Sequence, residues 1–411
     1  MPLQESGVLT LLDGLSVNEE LVLATLNSAL GSITSLGGSA GDDYRLSGTY
    51  VYSDGAFHSN AAMVLMINSA LDFEVFSFHH LRPATVKLVV TAADAERRVV
   101  HELNASPATT HIFFFDASLD PVLRIESGDV VRLETATGNP RWFENLGVPR
   151  DQIPAELYSV YEGYESTGRG DHTLNGPIFV NGAEPGDVLE IRILSVDVRL
   201  PIAGQGISSR LFPGEIDANV SRVHSIDLVN RTVEFAPGVV VPIKPFWGVI
   251  GVAPPLEMGR VRSGAPNFFG GNMDNRDLGA GSTLYLPVHN PGGLLSIGDG
   301  HAVQGYGEIS GSAVETSLKG EIQVFLHKDQ ELQWPRAETP THYMTMGLNP
   351  DLDEAARIAA AEMIDFLVET KGIDRETAIL LCSVAMDMVV TQVVDGTKGI
   401  HAMISKEVFR D

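Results

Sequence analysis

The 411-residue sequence contains a single cysteine, Cys382, so an intrachain disulfide is excluded. It has 28 basic residues against 53 acidic ones, which gives a net charge of −25, and no lysine precedes Lys87. A surface this acidic repels phosphate groups, which argues against a nucleic-acid or anionic-membrane partner. A lone thiol is typical of a reducing compartment, and we therefore expect a cytoplasmic protein.

Long apolar runs are also missing. The most apolar stretches, residues 61–67 and 379–390, fall short of the roughly 18–20 uninterrupted residues that a membrane span needs. The first residues lack the basic and apolar regions of a signal peptide. Hydrophobic residues make up 44% and charged residues 20%, as in globular proteins. The sequence predicts a soluble protein without a membrane partner.

The chain does contain many turn-forming residues, 41 glycines and 22 prolines. Between about residues 86 and 345, short β-type runs are separated by such residues, and apolar and polar positions alternate along Val188–Leu194. This pattern favours a sandwich or barrel over alternating βαβ units. A helical pattern follows: one helix runs from about Pro350 to Thr370, and a second, capped by Asp374, includes Cys382 and Met386.

The first 85 residues differ from the rest, with a predicted helix over residues 16–30 and several strand-like pieces. The predicted fold class is mainly β with C-terminal α-helices, in which a sandwich- or barrel-like core carries an N-terminal α+β extension. The predicted domains are an accessory segment over 1–85, a β-rich body over 86–345, and a helical part over 346–411 that packs on the body.

Polar residues are concentrated among glycines between Ser296 and Glu308. Glycine permits close approach of backbone to a ligand, and Asp299 and His301, two residues apart on a strand, share one face. Carboxylates with an imidazole suit zinc or a similar ion. Gln304 and Glu308 complete the group. The alternative is a glycine-rich turn whose polar groups satisfy one another.

A second candidate lies where Gly270 and Gly271 precede Asn272 and Asp274. The backbone there is either shaped around a site or is a capped turn. His172, next to an acid and just before a predicted strand, is a candidate ligand or base.

Two motifs are set aside. Residues 37–41 match the nucleophile-elbow pattern around Ser39 but lack a strong strand before it and a helix after it. Cys382 lies in an apolar helical pattern, which is typical of a buried, inert thiol.

Taken together, these segments resemble the acetamidase/formamidase family over roughly residues 100–410. The resemblance rests on several motifs in the same order along the chain. They are Phe115–Asp129, His172–Asp187, Gly248–Pro254, Gly270–Asp274, Gly281–Val288, Gly298–Glu308 and Pro335–Pro340.

The resemblance implies an amidohydrolase that converts small neutral amides, such as acetamide or formamide, to carboxylate and ammonia. It implies a divalent metal, which we expect to be zinc. The expected metal ligands are Asp274, Asp299 and His301, with His172 and His111 as alternates. Glu308 is the expected base, and Asn272 or Gln304 the expected donor to the oxyanion. The expected substrate-binding residues are His111, Tyr306, Gly270 and Gly271.

The sequence departs from the family pattern at two points. Tyr306 stands where the family usually has an acid in Gly-Asp-Gly-Glu, and the usual His-Trp pair reads His111-Ile112. Both departures bear on substrate preference. They leave open a hydrolase of a lactam or of a larger or cyclic amide, or a ligand-binding family member without activity. We also expect a homo-oligomer, formed through helices or sheet edges.

Overall fold

The computed structural model describes residues 99–162, 172–207, 211–215, 220–328 and 330–409, together with five strands in the first 69 residues. The chain divides into two compact units, Met1–Ala95 and Glu96–Asp411. Each unit is described by itself.

In the first unit, β1 pairs in parallel with β2 and antiparallel with β5, and β3 and β4 form a separate two-stranded sheet. The bounds are β1 Glu5–Asp13, β2 Thr34–Ala40, β3 Val51–Ser53, β4 Ala56–His58 and β5 Ala62–Ser69. Ser39 lies within a strand, β2. The helix predicted over residues 16–30 lies outside the described residues.

The second unit is built mainly of short strands. Their bounds are β6 Val100–Asn104, β7 Thr110–Ile112, β8 Phe114–Phe115, β9 Leu123–Ile125, β10 Val130–Glu134, β11 Thr173–Val180, β12 Val188–Val198, β13 Ile202–Gly206, β14 Ser221–Asp227, β15 Thr232–Ala236, β16 Val239–Pro242, β17 Phe246–Gly251, β18 Val261–Arg262, β19 Gly270–Asn272, β20 Thr283–Pro287, β21 Leu295–His301, β22 Leu318–His327, β23 Arg336–Glu338, β24 His342–Asn349, β25 Met386–Gln392 and β26 Lys398–Ser405.

These strands form two large sheets and two smaller ones. The larger sheet has nine strands in the order β25-β26-β24-β23-β20-β12-β22-β10-β6. The second has six: β19-β17-β21-β11-β7 in order, with β9 paired to β11. The smaller sheets are β13-β14-β15-β16 and β18-β8. The mainly β fold class predicted from the sequence is confirmed.

Both large sheets contribute side chains to one apolar core. Leu189 and Ile191 from β12 belong to the same buried cluster as Ile250 from β17 and Ile297 from β21. The alternation seen in the sequence is real, since residues 188–194 lie in β12, but most residues of both alternating sets are buried there. A strand in the middle of a packed sheet is covered on both faces, and this explains the difference.

Four α-helices are described: α1 Pro140–Asn145, α2 Ala155–Val160, α3 Leu352–Lys371 and α4 Arg375–Ala385. The Asp351 side chain caps α3 by accepting from the backbone N–H of Glu354, and Gly372 ends the helix in the left-handed conformation. Asp374 caps α4, as predicted. The prediction that α4 includes Met386 is wrong. Met386 starts β25, whose β-branched run pairs with β26.

The C-terminal helices lie on the nine-stranded sheet. Buried residues of α3 and α4 share a second core cluster with Ile400, Ala402 and Ile404 of β26. The approach is closest at Gly347 of β24, where a Cβ would lie 1.9 Å from the carbonyl oxygen of Ala355. The predicted boundary at residue 345 falls inside β24, and the division into residues 1–85, 86–345 and 346–411 stays a prediction.

Candidate active site

A buried polar centre lies where β21 meets β17 in the six-stranded sheet. β21 is buried along its whole length and carries Asp299 and His301 at its end. Asp274 follows β19, and Glu308 lies in the loop after β21. His301 and Asp274 are each 1% exposed, Asp299 7% and Glu308 8%. Carboxylates this deeply buried need a partner of opposite charge.

His301 occupies the middle of the centre. Its Nε2 lies 3.1 Å from Oε2 of Glu315, 3.2 Å from Oδ2 of Asp299 and 3.8 Å from Oδ1 of Asp274. The structure therefore brings together the three metal ligands predicted from the sequence. His172 joins them from the start of β11, with its Nε2 3.8 Å from Oδ2 of Asp299.

The opposite ring nitrogen of His301 is fixed by Gln304. Nδ1 lies 2.9 Å from Oε1 of Gln304, and Nε2 of Gln304 donates to the backbone oxygen of Asp274 at 2.8 Å. Because an amide oxygen only accepts, Nδ1 of His301 carries a proton, and Nε2 is the nitrogen that faces the carboxylates. A second hydrogen bond that orients the ring in this way is typical of histidine ligands to metals.

The charges of the centre perturb one another strongly. Burial lowers the pKa of His301, but the Glu315 and Asp299 carboxylates outweigh it and hold this pKa well above its usual value. Burial raises the pKa of Asp274, and the nearby Glu308 raises it further. Burial, followed by the charge of Asp395, also raises the pKa of Glu308. The pKa of Asp299 lies below its usual range because His172 and His301 outweigh its burial.

The backbone that carries these carboxylates is strained. Asp274, Asp299 and Glu308 have φ values of 47°, 56° and 46°, in the left-handed region that few non-glycine residues adopt. Such conformations persist only when the surrounding structure holds them, and they cluster at functional sites.

Gly248 forms one wall of the centre. A Cβ at this position would lie 2.4 Å from Oδ1 of Asp274, 2.6 Å from Oδ2 of Asp299 and 2.9 Å from Cε1 of His301. Only glycine lets β17 approach the three side chains so closely.

Three of the residues predicted around the centre, Asn272, Gly270 and Gly271, lie in β19. Asn272 ends β19, is 4% exposed and is paired with Val249 of β17. Gly270 and Gly271 are buried in β19, and a Cβ on Gly270 would lie 2.5 Å from the backbone oxygen of Ile250. Close packing of two strands is thus one physical reason for a glycine at position 270.

The side chains of His111 and Tyr306 are hydrogen-bonded to Ser296 and Asp277, respectively. His111 in β7 is hydrogen-bonded through Nε2 to Oγ of Ser296 at 2.9 Å, and burial lowers its pKa to about 4. It is therefore a neutral imidazole near neutral pH. Tyr306 is 46% exposed and donates to Oδ2 of Asp277 at 2.6 Å.

Sequence reasoning missed Glu315 and Asp395. Glu315 reaches the centre because it forms an isolated antiparallel bridge with His301, fourteen positions away in sequence. Asp395 acts electrostatically on both Asp274 and Glu308. Neither residue stands in a glycine-framed motif, and the local sequence gave no signal for either.

Within the part of the chain that the structure describes, two ligand sets could hold a metal ion, and both include His301. One is Asp274, His301 and Glu308, and the other is Asp299, His301 and Glu315. The ligand atoms within each set lie within 4.8 Å of one another.

Across the described residues, none of the helices is long and apolar enough to span a membrane.

The fold and the centre define a class: a β-rich protein that gathers carboxylates around one buried histidine, a ligand set suited to a divalent cation. Comparison with known families is more specific. The model of the Acetamidase/Formamidase family matches residues 115–263 and 259–411, and the chain belongs to this family. A second model, the FIST N domain, matches residues 3–106.

Solved structures and curated relatives agree with this assignment. An acetamidase from Yersinia enterocolitica has a TM-score of 0.66 at 32% identity, covering 77% of this chain and 95% of that one. An acetamidase from Bacillus halodurans has a TM-score of 0.64 at 30% identity, covering 75% and 98%. A formamidase from Methylophilus methylotrophus is 31% identical over 266 residues, covering 51% of this chain. The match spans 56% and 62% of the lengths of two curated relatives, less than two thirds of each.

Proposed function

We propose that the protein hydrolyses the C–N bond of small neutral amides, of the acetamide or formamide type, to a carboxylate and ammonia. The observation that carries the proposal is the buried centre in which His301 lies between the carboxylates of Asp299 and Glu315. Family membership supports the reaction class. The burial of the centre favours small substrates, and a chain with a net charge of −25 opposes anionic ones.

The residues present fit a divalent metal, and we propose zinc. Oδ1 of Asp274 is buried and has no hydrogen-bond donor among the described residues, as expected for an oxygen that serves as a ligand. Asp274, Asp299 and His301 would hold the ion, with His172 3.8 Å from Asp299 as a further ligand. When bound, such an ion polarises a carbonyl and lowers the pKa of water from about 15.7 to about 7.

The chain's own residues would handle the proton. Glu308 has a carboxylate oxygen within 4.8 Å of ligand atoms of Asp274 and His301, close enough to take a proton from an attacking water. It would then deliver this proton to the leaving nitrogen. Asn272 or Gln304 would donate a hydrogen bond to the developing oxyanion. Both amide ends of Gln304 are already engaged, which favours Asn272 for this role.

The remaining predicted residues would bind the substrate. Neutral His111 has a buried Nδ1 without a hydrogen bond among the described residues, and this atom could meet an amide group. Gly270 and Gly271 would form the surrounding wall, whereas the Tyr306 hydroxyl is bonded to Asp277. We further propose a cytoplasmic homo-oligomer, in keeping with the single cysteine.

Metal analysis of the purified protein, combined with ammonia release from acetamide and formamide, tests the proposal. We expect Glu308→Gln to lose about two to four orders of magnitude in kcat, because it cannot exchange a proton. Asp299→Ala should lose both bound metal and activity. Glu308→Gln should lose activity but remain folded. Full activity in a metal-free preparation would overturn the metal role. Ring opening of a lactam without turnover of linear amides would overturn the proposed substrate class.

A further inference from the structure

Tyr306 is linked to a polar group beside the centre that the proposed mechanism does not use. Its hydroxyl donates to Oδ2 of Asp277 at 2.6 Å. The phenol thus joins two segments: the Glu308 loop (residues 303–311), which follows β21, and the Asp274 loop (residues 273–279), which follows β19.

Asp277 is a firm anchor for this contact. Its Oδ1 lies 2.9 Å from Nζ of Lys244, and its Oδ2 lies 3.4 Å from Nε2 of His401, which is fully buried. Nδ1 of His401 is in turn 2.7 Å from Oγ1 of Thr391. A carboxylate held between a lysine and a buried histidine does not move freely, so the group bonded to it is also restrained.

The Glu308 loop is also attached to the end of β25. The backbone N–H of Gly307 donates to the oxygen of Thr391 at 3.0 Å, and the N–H of Val393 donates to the oxygen of Gly307 at 3.2 Å. The side chain of Tyr306 therefore binds Asp277, which lies beside His401. The backbone of Gly307 binds Thr391, whose side chain is hydrogen-bonded to the same histidine.

A restraint matters here because the two loops bring two carboxyl groups close together. Carboxyl oxygens of Asp274 and Glu308 lie within 4.8 Å in a buried site, where two ionised groups would repel strongly. Both residues also have left-handed backbones, which relax unless they are held. A phenol can donate to Asp277, whereas an ionised acid at position 306 would repel it.

We propose that Tyr306 is a positioning residue, which fixes the Glu308 loop against the Asp274 loop through its hydrogen bond to Asp277. The ring itself lies 4.8 Å from the guanidinium carbon of Arg276, a contact that does not involve the hydroxyl. This separates the hydroxyl's role from that of the ring. The kinetic consequence rests on the proposed amide hydrolysis, but the structural consequence does not.

The test uses the full chain with Tyr306→Phe, which removes the hydroxyl and keeps the ring. We expect kcat for ammonia release to fall by about tenfold to a hundredfold, with KM within about twofold, because misplaced groups slow the chemical step. Hydrogen exchange should become faster in peptides covering residues 303–311 and 391–393. Combined with Asp277→Asn, the loss in kcat should be smaller than the product of the two single losses.

Tyr285→Phe is the matched control. Tyr285 donates to Oε1 of Glu338 at 2.8 Å, the same kind of bond, between β20 and β23. This variant should leave kcat and exchange at residues 303–311 unchanged. Unchanged exchange in Tyr306→Phe would overturn the proposal, and so would a higher KM at constant kcat, which would indicate substrate contact. If the unaltered protein releases ammonia from no amide, the proposed function fails, and hydrogen exchange alone decides the role of Tyr306.

Discussion

At the scale of single residues, the centre depends as much on an absent side chain as on those present. Gly248 contributes no ligand, but its missing Cβ leaves the space that Asp274 and Asp299 fill. The sequence marked Gly248 only as the start of a stretch resembling the family. Its contact with three site residues follows from the pairing of β17 with β21 on one side and with β19 on the other.

Gly248→Ala should therefore damage the site more than the fold. The added Cβ would lie 2.4 Å from Oδ1 of Asp274, and the carboxylate would have to move. We expect ammonia release to fall by at least about tenfold, with lower zinc content, because a displaced ligand no longer meets the ion. Metal analysis and kinetics measure both effects.

The control for this prediction is Gly264→Ala, where a Cβ would meet nothing within 4 Å. It should keep activity and zinc content. Unchanged kinetics in Gly248→Ala would show that the centre tolerates a methyl group and that the wall is not needed.

At the scale of elements, the C-terminal helices were the most predictable part of the chain. Their caps are local: a short acceptor side chain at Asp351 or Asp374, followed by helix-forming residues. The end of α4 was less predictable, since Met386–Gln392 becomes a strand only because β26 offers it a partner. Pairing with a distant strand leaves no local signal.

Asp351→Ala should lower the free energy of unfolding by about 1 kcal/mol, because α3 loses the acceptor for the backbone N–H of Glu354. Urea unfolding followed by circular dichroism measures the change. Asp353→Ala is the control, since it also removes a first-turn acid but not the cap. Equal losses in the two variants would mean that charge near the helix start, and not the cap, is what matters.

At the scale of the whole molecule, the chain extends beyond the residues that the Acetamidase/Formamidase model matches. The second unit, Glu96–Asp411, contains the whole candidate site and all residues matched by the Acetamidase/Formamidase model. The first unit carries the separate match to the FIST N domain. The sequence predicted an N-terminal addition from its composition, and its accessory role stays a prediction.

A chain of residues 96–411 should fold by itself and keep the ammonia-release rate of the full protein. The reason is that the apolar clusters among the described residues are built from residues between Leu103 and Phe409. Circular dichroism and ammonia release measure the outcome, with the full chain as reference. An unfolded product, or a folded one without activity, would show that residues 1–95 are needed for the site.

The sequence by itself determined the mainly β character, the two C-terminal helices and most of the candidate ligands. Turn residues, helix caps and the glycine-framed pair Asp299 and His301 are local features that can be read along the chain. Only the tertiary structure added Glu315, Asp395 and Gly248, and placed Tyr306 on Asp277 instead of at the carboxylates. The physical reason is strand pairing, which joins residues far apart in sequence and which no local pattern encodes.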